Sequence, residues 1–204
     1  MIGVIDYGAG NLRSDVRALE HLGAESILLS DGSSFDKVSR VILPGVGSFE
    51  AAVNELHKRK LFQPTLDWLI ANKPFLGICV GMQLLYEEGD ESPGVKGLGF
   101  FKGSVPRFTE HKVPQIGWNS IQQKTASPLF KGLPENPFFY FLHSFYVSPE
   151  DGATVSASTN YGLEYASVVE RGQVHAVQFH PEKSAANGMT LLKNWIELYS
   201  QPMT

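Results

Sequence analysis

Residues 74–87 read PFLGICVGMQLLYE, and their reading decides the fold. Phe75–Ile78 is a short apolar run of the kind that forms a buried strand, and a helical pattern comes next, from about Gly81 to Glu88. Between them stands Gly77-Ile78-Cys79-Val80-Gly81, with the chain's single cysteine at its centre. A strand that passes directly into a helix needs a sharp reversal. Glycines on both flanks remove the Cβ atoms that would obstruct the backbone there. The same turn places the thiol at a helix N-terminus, where partial positive charge favours thiolate. A strand, a G-x-C-x-G turn and a helix together form the setting of a nucleophile elbow, although a lone cysteine is also a common small core residue.

Working outward, strand and helix alternate through the first 90 residues. Ile2–Asp6, Ser26–Leu29 and Arg40–Leu43 read as strands. Leu12, Val16, Leu19 and Leu22 form the apolar face of a first helix, which Asn11 can cap and Gly23 closes. Phe49, Ala52, Val53 and Leu56 lie at helical spacing, and a further helix covers about Leu61–Ala71. The second half is richer in β pattern: Leu98–Val105, Ile116–Gln122, Phe138–Val147, Ala153–Thr159, Ala166–Glu170 and Val174–Phe179. A hairpin turn falls at Glu170-Arg171-Gly172-Gln173, and a last helix runs from about Gly188 to Tyr199 with Leu191, Leu192, Trp195, Ile196 and Leu198 apolar. The expectation is one α/β domain over 1–204, a mostly parallel sheet flanked by helices with an antiparallel β addition in the C-terminal half.

Composition narrows the function. With 17 Lys and Arg against 21 Asp and Glu, the formal charge of −4 leaves no basic footprint for nucleic acid. His57-Lys58-Arg59-Lys60, the longest basic cluster, reads as a solvated helix end. Apolar runs are too short to span a bilayer, which takes about 20 residues, and the start of the chain lacks a secretory pattern, so a cytoplasmic protein is expected. The His, Cys and carboxylate spacings do not suit zinc, and neither a metal nor a cofactor is expected. Gly8-Ala9-Gly10-Asn11-Leu12-Arg13 has Arg where a dinucleotide fingerprint needs its third glycine.

A nucleophilic Cys79 requires a base. VHAVQFHPEKS (174–184) puts His180 at the end of an apolar strand, with Glu182 two residues on as a carboxylate that can hold one ring nitrogen. VILPGVGSFE (41–50) passes from strand through Pro44-Gly45-Val46-Gly47 toward a helix. Its backbone amides, with that of Val80, can form an oxyanion hole. Of the other histidines, His21, His57 and His111 read as exposed and His175 as solvent-facing on its strand. His143 sits in a run too apolar for a casual imidazole.

These blocks, with IDYGAGNLRS at the start, PQIGWN (114–119) and FYFLHSFYV (139–147), resemble the class I (triad) glutamine amidotransferases over essentially the whole chain. Within that family the likeness is greatest to glutaminase subunits of histidine biosynthesis. The resemblance implies a flavodoxin-like fold, Cys79 as nucleophile, His180 as acid and base, and Glu182 as its orienter. Val46 and Val80 would supply oxyanion amides, the former after a rearrangement of its peptide. Gly47, Gln83, His143, Ser144 and Phe145 would hold L-glutamine. The acceptor of the ammonia would lie on a separate (β/α)8-barrel cyclase subunit, forming a heterodimer that docks through Asn11, Ser14, Arg17 and Lys183. A glutaminase of another pathway, a cysteine peptidase on the same scaffold and a non-catalytic binding subunit are the rival readings.

Overall fold

The computed structural model describes residues 1–8 and 12–200; Asn11, the expected cap and partner contact, lies outside them. The first half alternates as its periodicity predicts: β1 (Ile2–Ile5), α1 (Leu12–His21), β2 (Ser26–Leu29), β3 (Arg40–Leu43), α2 (Phe49–Lys58), α3 (Phe62–Ile70), β4 (Phe75–Ile78) and α4 (Val80–Gln83). The second half adds β5 (Gly103–Ser104), β6 (Gln115–Ser120), β7 (Gln122–Gln123), β8 (Phe138–His143), β9 (Ser148–Pro149), β10 (Val155–Tyr161), β11 (Leu163–Arg171), β12 (Val174–Val177) and α5 (Ala185–Leu198).

The main sheet has eight strands in the order β2-β1-β3-β4-β12-β11-β10-β7. The five from β2 to β12 run parallel, and β11, β10 and β7 extend the sheet antiparallel. From β1 the chain moves outward through α1 to β2; from β3 it moves the opposite way through α2 and α3 to β4. Right-handed crossovers then put α1 on one face and α2 and α3 on the other. Between β1 and β3 the direction of winding reverses, so the crevice at the carboxyl ends of these strands is the natural place for a ligand. Pairing of β4 with β12 brings Ile78 opposite Val177. That register carries Cys79 and His180, distant in sequence, to the same sheet edge.

Several expectations need correction. Helix α4 ends at Gln83, not near Glu88. Beyond it the chain folds back so closely that a Cβ on Gly97 would collide with the Tyr86 carbonyl oxygen. Only Gly103–Ser104 of the expected strand 98–105 joins a ladder, and the ladder of 138–147 stops at His143. On α1 Leu19 is buried and Leu12 and Leu22 pack against the core as expected, Val16 is half-exposed, and Asp15 and Ala18 are buried beside them, so the inward face also carries a carboxyl. Leu198 is exposed at the end of α5. His175 is buried, not solvent-facing: Nδ1 lies 3.1 Å from Glu170 and Nε2 2.6 Å from the Tyr199 hydroxyl on the segment after α5. An inner strand covered on both faces has no solvent side for alternation to reveal.

Candidate active site

Cys79 stands between β4 and α4 with φ 53° and ψ −110°, a conformation that L-residues rarely adopt and that the surroundings must enforce. The glycines explain how. A Cβ on Gly77 would meet the Gly81 carbonyl oxygen at 2.8 Å, and one on Gly81 would run into the Leu43 carbonyl oxygen. The elbow is thus wedged against the end of β3, which leads into Pro44-Gly45-Val46-Gly47. Below Gly45 lies the buried Tyr7 hydroxyl, 3.0 Å from where a Cβ on that glycine would sit. Burial holds the Tyr7 phenol well above its ordinary pKa, so it is neutral. Gly81→Ala is accordingly expected to lower unfolding free energy by about 3 kcal/mol, at the upper end of overpacking costs, measurable by urea denaturation. An unchanged midpoint would mean that the elbow and β3 are not wedged together.

His180 comes after β12 and is itself buried. Its Nδ1 lies 2.9 Å from Glu182 Oε1, and the Glu182 side chain is only 3% exposed. The local chain builds this pair: Pro181 begins a single 3-10 turn, Pro181–Lys183, that swings Glu182 back beneath the ring, and the Ser184 hydroxyl donates to the His180 carbonyl at 2.6 Å. Burial by itself would lower the His180 pKa. The Cys79 sulfur and the Glu182 carboxylate outweigh it and push the imidazole up to about 10. Nε2 is buried without a hydrogen bond among the described residues. The thiol instead directs Sγ at the Leu142 carbonyl, 3.7 Å away, while Gln178 Nε2 donates toward Sγ from 3.8 Å. Such resting geometry is common in enzymes whose hydrogen bonds tighten only around substrate.

In front of Cys79 opens a cavity of about 230 Å³, the size of a small metabolite, lined by Val46, Gly47, Val80, Gln83, His143, Ser144 and Phe145 together with Glu91, Pro114 and Leu142. The structure therefore brings to one hollow Cys79 and every residue the sequence nominated for oxyanion and glutamine contacts. Gln83 Nε2 donates to the Phe145 carbonyl at 3.0 Å and to Gln178 Oε1 at 3.3 Å, tying α4 to the 143–145 turn and to the end of β12. His143 is held neutral, its pKa lowered to about 4 by burial and by the nearby His180, against the opposing effect of the Phe145 carbonyl. A neutral ring that donates Nδ1–H to the Phe145 oxygen at 2.7 Å keeps Nε2 as an acceptor facing the Tyr165 hydroxyl at 3.3 Å. It braces the turn.

Sequence reasoning missed Glu91, Leu142, Gln178 and Asp15. Glu91 Oε2 accepts from the Phe49 amide at 2.7 Å, so it both caps α2 and presents a carboxylate to the cavity. Of the expected docking residues, Arg17 is exposed, and Ser14 and Lys183 are half-buried. A larger exposed feature was not anticipated. Strands β6 and β8 pair Ile116 with Leu142, Trp118 with Tyr140 and Ser120 with Phe138, and the outer face of this two-stranded sheet leaves Ile116, Trp118 and Phe138 each more than half exposed.

A strained cysteine elbow, a buried His–Glu pair at the neighbouring strand end and a glycine-rich loop above the thiol define a class. Over residues 3–198 the chain matches the glutamine amidotransferase class-I family, and it belongs to that family. Within it, the chain is similar along nearly its whole length to the imidazole glycerol phosphate synthase subunit HisH of Methanocaldococcus jannaschii (44% identity over 200 residues, 97% of this chain and 100% of the relative). The subunit HisH of Shouchella clausii is 45% identical over 206 residues (97% and 98%), and HisH 1 of Methanococcus maripaludis 40% over 202 (97% and 100%). Among solved structures the fold is shared with PurLQS from Thermotoga maritima (TM-score 0.78, 19% identity, 97% of each chain). It is shared too with a glutamine amidotransferase from the same organism (TM-score 0.62, 20% identity, 98% of this chain and 81% of that one).

Proposed function

We propose that the chain is the glutaminase subunit of an imidazole glycerol phosphate synthase, releasing ammonia from glutamine for a cyclase subunit. The observation that carries the chemistry is the convergence of Cys79, the buried His180–Glu182 pair and the cavity that opens onto the thiol. The pathway assignment is supported by 40–45% identity to subunits of that name.

Cys79 thiolate attacks the side-chain amide carbon of glutamine, and the negative charge that gathers on the carbonyl oxygen is met by the amides of Val80 and Val46. One such donor contributes roughly 10²–10³ in rate. Gln178 steadies the sulfur before attack. His180 gives its proton to the departing nitrogen, which leaves a glutamyl thioester; water deprotonated by His180 then frees glutamate. Glu182 holds Nδ1–H so that Nε2 faces the reaction. Glu91 suits the α-ammonium group, and the Ser144–Phe145 backbone suits the α-carboxylate.

Free ammonia in neutral water becomes mostly ammonium, which is no nucleophile, so the product must pass directly to an acceptor site. The proposed acceptor is a (β/α)8-barrel cyclase, heterodimeric with this chain, that uses the ammonia to form imidazole glycerol phosphate and an aminoimidazole carboxamide ribotide. The apolar face of β6 and β8 fits such a partner. It adjoins the cavity through Leu142, and exposed aromatic side chains of this kind are typical interface anchors. Lys183 and Arg17 supply a polar rim.

The chain mixed with that cyclase, its nucleotide substrate and glutamine is expected to yield imidazole glycerol phosphate, with glutaminase activity weak alone and raised by partner and nucleotide. High turnover without partner would refute the coupling. Trp118→Asp is expected to weaken the complex about 30-fold or more, the loss of one interface hot spot, read by calorimetric titration; an unaltered Kd would remove this face from the interface.

A further inference from the structure

Helix α1 turns one ionisable side chain inward. Asp15 is 8% exposed, on a helix that packs against the Pro181–Lys183 turn carrying Glu182. On that turn the Glu182 carboxylate spends Oε1 on His180 and leaves Oε2 buried with no hydrogen bond among the described residues. Two carboxyl groups are therefore buried on adjoining elements, the helix and the turn, next to one imidazole. We propose that Asp15 is a positioning residue of the active site, acting from the adjoining helix to keep the proton on His180 as the pH rises. The proposal rests on Cys79 and His180 being the acylating pair.

The titratable groups that face Asp15 are Glu182 and Lys183 on the turn, His180 at the end of β12, and Tyr7 after β1. Burial and the like charge of Glu182 push the Asp15 carboxyl up to about 8, against the attraction of His180 and Lys183. At neutral pH Asp15 thus holds a proton, and the buried pair bears the single charge that the His180–Glu182 contact needs. Above that range the proton leaves, and the new carboxylate favours the imidazolium, because coupling between two titrating sites is reciprocal. A second carboxylate then appears as the imidazolium would begin to lose its proton. The imidazolium survives to a higher pH than Glu182 alone would support. Tyr7 stays neutral throughout this range, and Lys183 offsets part of the added charge.

Two measurements decide the matter. The first is kcat/KM for glutamine against pH in the wild type, Asp15→Asn and Asp15→Glu. With Asp15→Asn the alkaline limb is expected to move down by about half to one pH unit, the size of one added charge at partly screened range. The acid limb should stay in place, and Asp15→Glu should restore the wild-type position. Coincident alkaline limbs, or one uniform loss at every pH, would overturn the proposal, since a merely structural role lowers the whole curve. The second is NMR titration of the wild type, tracking the His180 ring and the Asp15 carboxyl carbon. An Asp15 transition near pH 8, with an inflection at His180 in the same range, is the expected result. An Asp15 that titrates as an ordinary surface carboxyl overturns the proposal even if the variants do not fold. Absence of glutamine hydrolysis by the wild type would instead refute the glutaminase reading, and the NMR titration would still decide whether Asp15 is coupled to His180.

Discussion

Replacing Cys79 with Ala is expected to abolish glutamine-dependent synthesis, lowering kcat by roughly 10⁶, the usual scale for loss of an activated nucleophile, while synthesis from added ammonium continues. The two halves of that result have separate causes. The chain has no second thiol, so the thioester cannot form. The proposed acceptor site lies on the partner and needs only ammonia. Alanine is a fair probe because the strain at φ 53° belongs to the backbone and is the same for Cys and Ala. Among the described residues, moreover, the hydrogen bonds of the sulfur, to Leu142 and Gln178, are both long. Folding and docking should therefore persist, as a melting curve and a binding titration would verify. If the variant lost both activities together, the donor and acceptor sites would not be distinct. If it lost neither, Cys79 would not be the nucleophile.

How much was legible in the sequence depends on the range over which each residue's signal is set. The elbow could be read because its demands are local: Gly77 and Gly81 answer to backbone atoms within a strand, a turn and the adjoining β3 end. His180 and Glu182 were legible for a similar reason, as a short motif at the close of an apolar run. Asp15 was not. It stands on the same helical stripe as Leu12, Leu19 and Leu22, where periodicity calls for an apolar residue, and only the packing of α1 on the Pro181–Lys183 turn shows that a carboxyl is buried there. Gln178 and Leu142 act on the sulfur through strand pairing and a backbone carbonyl, which side-chain chemistry does not announce. Trp118 and Ile116 were correctly read as strand residues. Their exposure depends on β6 and β8 forming a small sheet of their own whose outer face no described residue covers. The short α4 reflects the same limit: the return of Gly97 against Tyr86, and not helix propensity, decides the path of the chain beyond Gln83.

Glu182→Gln is expected to lower kcat by as much as about 10⁴, through the identity of a proton and not through lost packing. Glutamine matches the carboxylate in shape and can remain 2.9 Å from the ring. Its amide, however, can offer N–H to Nδ1, which stabilises the tautomer with the hydrogen on Nε2, the wrong nitrogen for a base; a comparable carboxylate-to-amide change in a serine triad costs about 10⁴. The pH dependence adds an independent signature. In the folded protein His180 is raised to about 10, far above the value near 6.5 of an exposed imidazole. Native protein therefore binds more protons than unfolded chain between these limits. The stabilisation from the His180 charge is full below about pH 6.5 and is lost as pH rises toward 10. Removing the Glu182 charge lowers the folded pKa of His180 and narrows that window. The variant's stability should then fall less steeply over the alkaline range than that of the wild type, and its residual kcat/KM should reach its alkaline limb earlier. Denaturant midpoints measured from pH 6 to 10 would show both slopes. Parallel slopes, together with a pH–rate profile that keeps its shape, would show that Glu182 holds the ring in place without setting its charge.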